Sequence, residues 1–111
     1  MQKRLLLVDD EVSTLRVLWR LFRRTEFNVV TANSGQEALE ILSQTDIQVV
    51  MTDSRMPEMS GSELAVEIQT KYPDIVCVML SGYADFQPVM NALNSGAVYK
   101  FLEKPWDNQQ L

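Results

Sequence analysis

Apolar runs alternate with segments of helical period along nearly the whole chain. Five short runs read as strands: "RLLLV" (4–8), "NVVTA" (28–32), "IQVVM" (47–51), "IVCVML" (75–80) and "VYKFL" (98–102). Most are close to continuously apolar and rich in β-branched residues, as in strands covered on both faces. Over 12–24, Leu15, Leu18 and Phe22 share one helical face, while Arg16, Arg20 and Arg23 share another. Ser34-Gly-Gln-Glu37 and Ser60-Gly-Ser-Glu63 each have the form of a capping box that opens a helix. The first of these helices continues through Ala38, Ile41 and Leu42, the second through Leu64 and Ile68. Asp85 can cap a fourth, with Pro88 tolerated in its first turn, Val89, Met90 and Leu93 on its apolar face, and Gly96 at its end.

Strand then helix, four times over, followed by a fifth strand, predicts an α/β fold. Right-handed crossovers make it a doubly wound parallel sheet with helices on both faces. Residues 1–111 suit one domain, with no linker, repeat or low-complexity tract. Lys104-Pro105 should start another helix, but only a turn or so of chain follows. A truncated fifth helix, in the N-terminal part of a longer protein, is the expectation. Its absence should bare apolar surface on the first and fifth strands beside the first helix. The segment is then expected to be marginally stable or to cover that face by self-association, as a homodimer.

Composition narrows the chemistry. A net charge of −5 gives no electrostatic footprint for nucleic acid. No apolar stretch approaches the ~18–20 residues of a membrane span. The single cysteine, Cys77, sits in an apolar run and reads as a buried thiol. That thiol and the missing signal peptide point to the cytoplasm. There is no histidine, so any chemistry falls to carboxylates, hydroxyls and lysine.

In open parallel sheets, ligands sit at the carboxyl ends of the strands. Here those ends carry Asp9-Asp10, Asp53, Ser81-Gly82 and, through Glu103, Lys104. Each has a plainer reading: Asp10 as a helix cap, Asp53 as a brace for the turn, Ser81-Gly82 as a turn, Lys104 as a solvated side chain. Their joint placement is what the plainer readings leave unexplained. Two like charges ~4 Å apart repel by ~4 kcal/mol at an effective dielectric of ~20. One lysine cannot balance three carboxylates. All-oxygen ligation without histidine fits Mg²⁺ or Mn²⁺. A metal-bound carboxylate beside a hydroxyl and a lysine suits a phosphoryl group, with Asp53 as its nucleophile. On this reading Pro57 and Gly61 turn the chain away and leave Asp53 open.

Four motifs, "LLLVDDE" (5–11), "DSRMPEMSG" (53–61), "LSGYAD" (80–85) and "FLEKPW" (101–106), occur in order. Together they resemble the receiver domain of two-component response regulators. The resemblance implies a flavodoxin-like sheet of strand order 2-1-3-4-5. It implies that Asp53 accepts phosphate from a phosphohistidine on a histidine kinase or phosphotransfer protein, and that an output domain follows the receiver. Asp10, Asp53 and the Arg55 backbone carbonyl would ligate Mg²⁺, with Asp9 acting through water. Lys104 and Ser81 would contact the phosphoryl group, Gly82 would leave room for Ser81 to move, and the Lys104–Pro105 bond would be cis. Phe101, three residues before Lys104, is favoured as the switch aromatic, with Tyr99 its rival on the same strand. Arg55 and Tyr83 flank the site and could tune the phosphoryl lifetime. The arginines of the first helix could help dock a kinase, or simply form its wet face.

Other functions fit less well. An aspartyl phosphatase usually needs a second aspartate two residues after the first, where this chain has Arg55. A flavin or dinucleotide module would need a glycine-rich loop after the first strand, and "DDEVSTL" has no glycine. A degenerate receiver that binds without phosphorylation loses ground because every site position carries a competent residue. The chain is therefore read as a switch that catalyses its own phosphorylation, not as a turnover enzyme.

Overall fold

A computed structural model describes residues 3–25, 27–53, 55–81 and 100–103, with the side chains of Ser81 and of residues 100–103 outside the description. The strands are β1 (Lys3–Val8), β2 (Phe27–Ala32), β3 (Val49–Asp53), β4 (Val76–Ser81) and β5 (Lys100–Glu103). The helices are α1 (Val12–Phe22), α2 (Gly35–Gln44) and α3 (Gly61–Lys71). All strand pairs are parallel and the order is β2-β1-β3-β4-β5. The fourth helix expected from Asp85 and the start of a fifth at Lys104-Pro105 lie outside the described residues.

Alternation along β1 builds two cores. Leu6 and Val8 face α2 and α3, joining Ala38, Leu42, Leu64, Ala65 and Ile68. Leu5 and Leu7 point to the other side, against Leu15, Leu18 and Phe22 of α1. Successive strand residues point to opposite faces, so a central strand must be apolar at every position to satisfy both. β2, at the edge, is only half-buried along most of its length. Leu5 and Leu7 are 2% and 0% exposed, so the apolar strip expected to be bare on the first strand is covered.

Element ends depart from the periodicity where side chains intervene. α1 stops at Phe22, not at residue 24, because the Thr25 hydroxyl and amide both donate to the Phe22 carbonyl. Side-chain bonds of this kind compete with further helix. β3 runs from Val49 to Asp53 instead of 47–51. At its start, the Gln48 side chain accepts the Arg4 amide at 2.6 Å. At its end, buried Thr52 satisfies its hydroxyl on the Asp53 carbonyl at 3.0 Å, so a polar residue extends the strand. Only the second capping box is complete, Ser60 and Glu63 each bonding the other's backbone. In the first, Glu37 reaches past Ser34 to the amide of Asn33.

Cys77, in β4, points into the core beneath α2 and α3, and burial pushes its thiol up from 9.0 to about 12. A raised folded value means the neutral thiol contributes its full stability below pH ~9 and loses it as pH climbs toward 12. Denaturant unfolding at pH 8 and pH 10.5 checks this. The wild type should lose up to ~1.4 kcal/mol per pH unit more than Cys77→Val above pH 9. Equal alkaline losses would place the thiol in contact with water.

Candidate functional site

β1 and β3 lie side by side, with Val8 opposite Thr52. The residues that follow in each strand therefore meet at the carboxyl edge of the sheet. Asp9 leaves β1 with its amide still bonded to Ala32 of β2 at 3.1 Å. Asp53 is the last residue of β3, opposite Leu80 of β4. Carboxylate oxygens of Asp9, Asp10 and Asp53 all lie within 4.8 Å of one another. Asp9 is 0% exposed and Asp53 6%, while Asp10 faces solvent. Two carboxylates ~5 Å apart repel by ~3 kcal/mol at an effective dielectric of ~20. Such a cluster favours a cation.

The plainer reading of Asp10 does not hold. The N-cap of α1 is Glu11, whose side chain makes no capping bond. Its amide is taken by Asp9, whose Oδ1 accepts it at 2.9 Å. That bond fixes Asp9 between the end of β1 and the start of α1, and it leaves Asp10 on the exposed side.

The segment after Asp53 turns at Pro57, as expected, but on Glu58 in place of Gly61. Glu58 has φ 68, and the Met59 amide donates to the Pro57 carbonyl at 2.7 Å, closing a three-residue γ-turn. A positive φ of this size costs a non-glycine residue roughly 1–2 kcal/mol. Strain of this kind gathers beside functional sites. Gly61 instead begins α3 and is buried there. Arg55 is exposed and Met56 half-buried. No residue type in this stretch signals a left-handed glutamate, so the turn was legible from Pro57 but its strained residue was not.

Register brings the other strand ends to the same edge: Ser81 closes β4 opposite Glu103, and Phe101 is opposite Met79. Gly82, Tyr83, Tyr99, Lys104 and Pro105 lie outside the described residues, as do the side chains of Ser81 and Phe101. A groove of about 590 Å³, lined in part by Leu42, Ile47, Tyr72 and Ile75, opens at the opposite end of the sheet. It has no part in the acidic cluster. None of the described helices is long and apolar enough to cross a membrane.

The sequence matches the family model of the response regulator receiver domain over residues 5–111. This chain belongs to that family. It is 34% identical over 105 residues to the hydrogenase transcriptional regulatory protein HoxA of Cupriavidus necator, covering 95% of this chain and 22% of that protein. It is 36% identical over 107 residues to the transcriptional regulatory protein GlrR of Escherichia coli, covering 96% of this chain and 24% of that protein. The receiver thus spans less than a quarter of the length of these curated relatives. A crystal structure of the signal receiver domain of an HD domain-containing protein from Pseudomonas fluorescens superposes with a TM-score of 0.94 at 29% identity. The match covers 99% of this chain and 88% of that one. Receiver domains are regulatory modules of two-component systems, work with histidine kinases and bind Mg²⁺ at an acidic pocket. This receiver carries an acidic group of Asp9, Asp10 and Asp53 at the carboxyl edge of its sheet.

Because the three carboxylates repel, removing one charge should stabilise the metal-free receiver. Asp53→Asn is expected to gain about 1 kcal/mol in urea unfolding with EDTA present. A loss of stability would mean that the acidic edge costs the fold nothing.

Proposed function

We propose that this receiver accepts a phosphoryl group on Asp53 from a phosphohistidine of a histidine kinase or phosphotransfer protein. The observation that carries this reading is the position of Asp53. It ends a buried strand with a nearly buried carboxylate whose neighbours are two further carboxylates. An Asp53 oxygen attacks phosphorus, the phosphorus–nitrogen bond breaks, and the electron pair returns to the imidazole of the donor. The product is an acyl phosphate. The histidine is supplied in trans, since this chain has none.

The donor set suits a hard divalent cation. Its carboxylates offer only oxygen, and the one thiol, Cys77 of β4, is buried in the core. Asp10, Asp53 and the Arg55 carbonyl would hold Mg²⁺, or Mn²⁺ in its place, and Asp9 would act through a water. Bound there, the ion supplies positive charge that offsets both the carboxylates and the incoming phosphoryl oxygens. Asp9, tied to the Glu11 amide, orients the cluster from below. Lys104 and Ser81 complete the phosphoryl contacts, with Gly82 leaving space for Ser81 and Phe101 answering as the switch aromatic. Arg55 and Tyr83 set how readily water removes the group. The switched receiver then acts on an output segment, a reading supported by the greater length of HoxA and GlrR. The proposed setting is the cytoplasm. This reaction makes the chain a self-modifying switch and not a turnover enzyme.

Incubation with Mg²⁺ and acetyl phosphate should add one hydroxylamine-sensitive phosphate to the wild type and none to Asp53→Asn, as read by intact mass. Phosphorylation of that variant at the wild-type rate would overturn the assignment.

Mg²⁺ affinity separates the roles of the other two carboxylates. In calorimetry, Asp10→Ala should abolish binding, whereas Asp9→Asn, which keeps an acceptor for the Glu11 amide, should weaken it by about tenfold. Equal affinity in the wild type and Asp10→Ala would remove Asp10 from the metal.

A further inference from the structure

The loop between Asp53 and α3 is pinned at its far end. The reciprocal bonds of Ser60 and Glu63 fix the start of α3. Just before it, the Met59 amide is tied to the Pro57 carbonyl across the strained Glu58 turn. The Met59 side chain lies over Gly35, the first residue of α2, which is buried. A Cβ placed on Gly35 would meet Met59 Sδ at 2.8 Å, Cγ at 3.0 Å and Cβ at 3.1 Å. The outer two atoms could swing aside. The Met59 Cβ cannot move without its backbone.

We propose that Gly35 is a positioning residue for the acidic site: by lacking a side chain it seats Met59, and through Met59 it sets the loop that carries Arg55. Displacement of Met59 cannot be absorbed toward α3, where the capping box holds. Pro57 has a fixed φ, and the Glu58 turn is closed by a hydrogen bond, so the shift passes back along the chain to Met56 and Arg55. Arg55 is two residues from Asp53, and its carbonyl is the proposed backbone ligand. The N-terminus of α2, on the α2–α3 face of the sheet, therefore helps determine cation affinity at the edge. This inference rests on the metal-dependent reading given above. It assigns the control of that site to a helix that contributes no ligand.

The test is a Mg²⁺ titration followed by the amide NMR shifts of Asp10 and Arg55, with no phosphodonor present. Gly35→Ala should raise the Mg²⁺ midpoint about tenfold, the scale of supporting-residue effects on metal sites. Alanine favours helix more than glycine, so a weaker α2 would not account for the loss. Met59→Ala removes the two nearest atoms but keeps the Cβ, so it should raise the midpoint only about threefold, and the double variant should match Gly35→Ala instead of compounding the losses. In the acetyl phosphate reaction, Gly35→Ala should approach the wild-type rate once Mg²⁺ is saturating. A folded Gly35→Ala with the wild-type midpoint would overturn the proposal, and so would a double variant whose losses simply add. If Gly35→Ala does not fold, a wild-type midpoint in Met59→Ala overturns it instead. A wild type that binds no Mg²⁺ would sink the metal-dependent reading itself, an outcome separate from indifference at Gly35.

Discussion

Three carboxylates are forced together where β1 and β3 end, and the rest of the molecule can be understood as what holds them there. Left alone, such charges would separate into water. The parallel ladder between β1 and β3 prevents this by fixing Val8 opposite Thr52, so that Asp9 and Asp53 emerge side by side. Both strands are buried on both faces, and neither can slide or flip without exposing the leucines of β1. Asp9 is further tied to the first amide of the α1 entry. The apolar cores thus supply the rigidity against which the repulsion is stored. Pre-set charge of this kind gives a cation a favourable destination.

The two faces of the sheet divide the labour. α1 covers one face with Leu15, Leu18 and Phe22, and presents its arginines outward, with the Arg23 guanidinium 5.2 Å above the Trp19 ring. α2 and α3 cover the other face, and their N-termini stand at the edge where the site is built. The loop that leaves Asp53 reaches α3 through a glutamate in the left-handed region and a methionine seated on a helical glycine. A few residues thus connect the Asp53 carboxylate to a helix on the far side of the loop. That short path gives the α2 side of the domain a physical route to the site.

Much of this was legible in the sequence because a doubly wound sheet has a strong pattern. Continuous apolar runs such as "RLLLV" can only be satisfied by burial on two faces, and the acidic residues directly after them then fall at the carboxyl edge. The burial of Leu15, Leu18 and Phe22 followed from helical spacing alone. What escaped was most of what individual side-chain bonds decide, the Ser60–Glu63 capping box excepted. Periodicity cannot see that Thr25 will take the Phe22 carbonyl and stop α1, or that buried Thr52 will satisfy itself and carry β3 on to Asp53. Capping-box spacing was equally silent on Glu37 choosing the amide of Asn33 over that of Ser34. The turn was expected at Pro57 and Gly61; Pro57 does close it, but its left-handed residue is Glu58, and a glutamate there carries no signal. The seat of Met59 on Gly35 joins residues far apart in sequence, a contact that spacing within one element cannot reveal.

The central claim is that the carboxylate cluster is a cation site whose repulsion the fold tolerates until an ion arrives. It is tested most directly by unfolding the wild type and Asp53→Asn side by side across a Mg²⁺ series that starts in EDTA. A ligand that binds only the folded state stabilises it in proportion to the logarithm of its saturation. The account predicts that the wild type starts less stable than Asp53→Asn, gains stability steadily with Mg²⁺, and closes or reverses the gap. A gap that stays constant from EDTA to millimolar Mg²⁺ would contradict it.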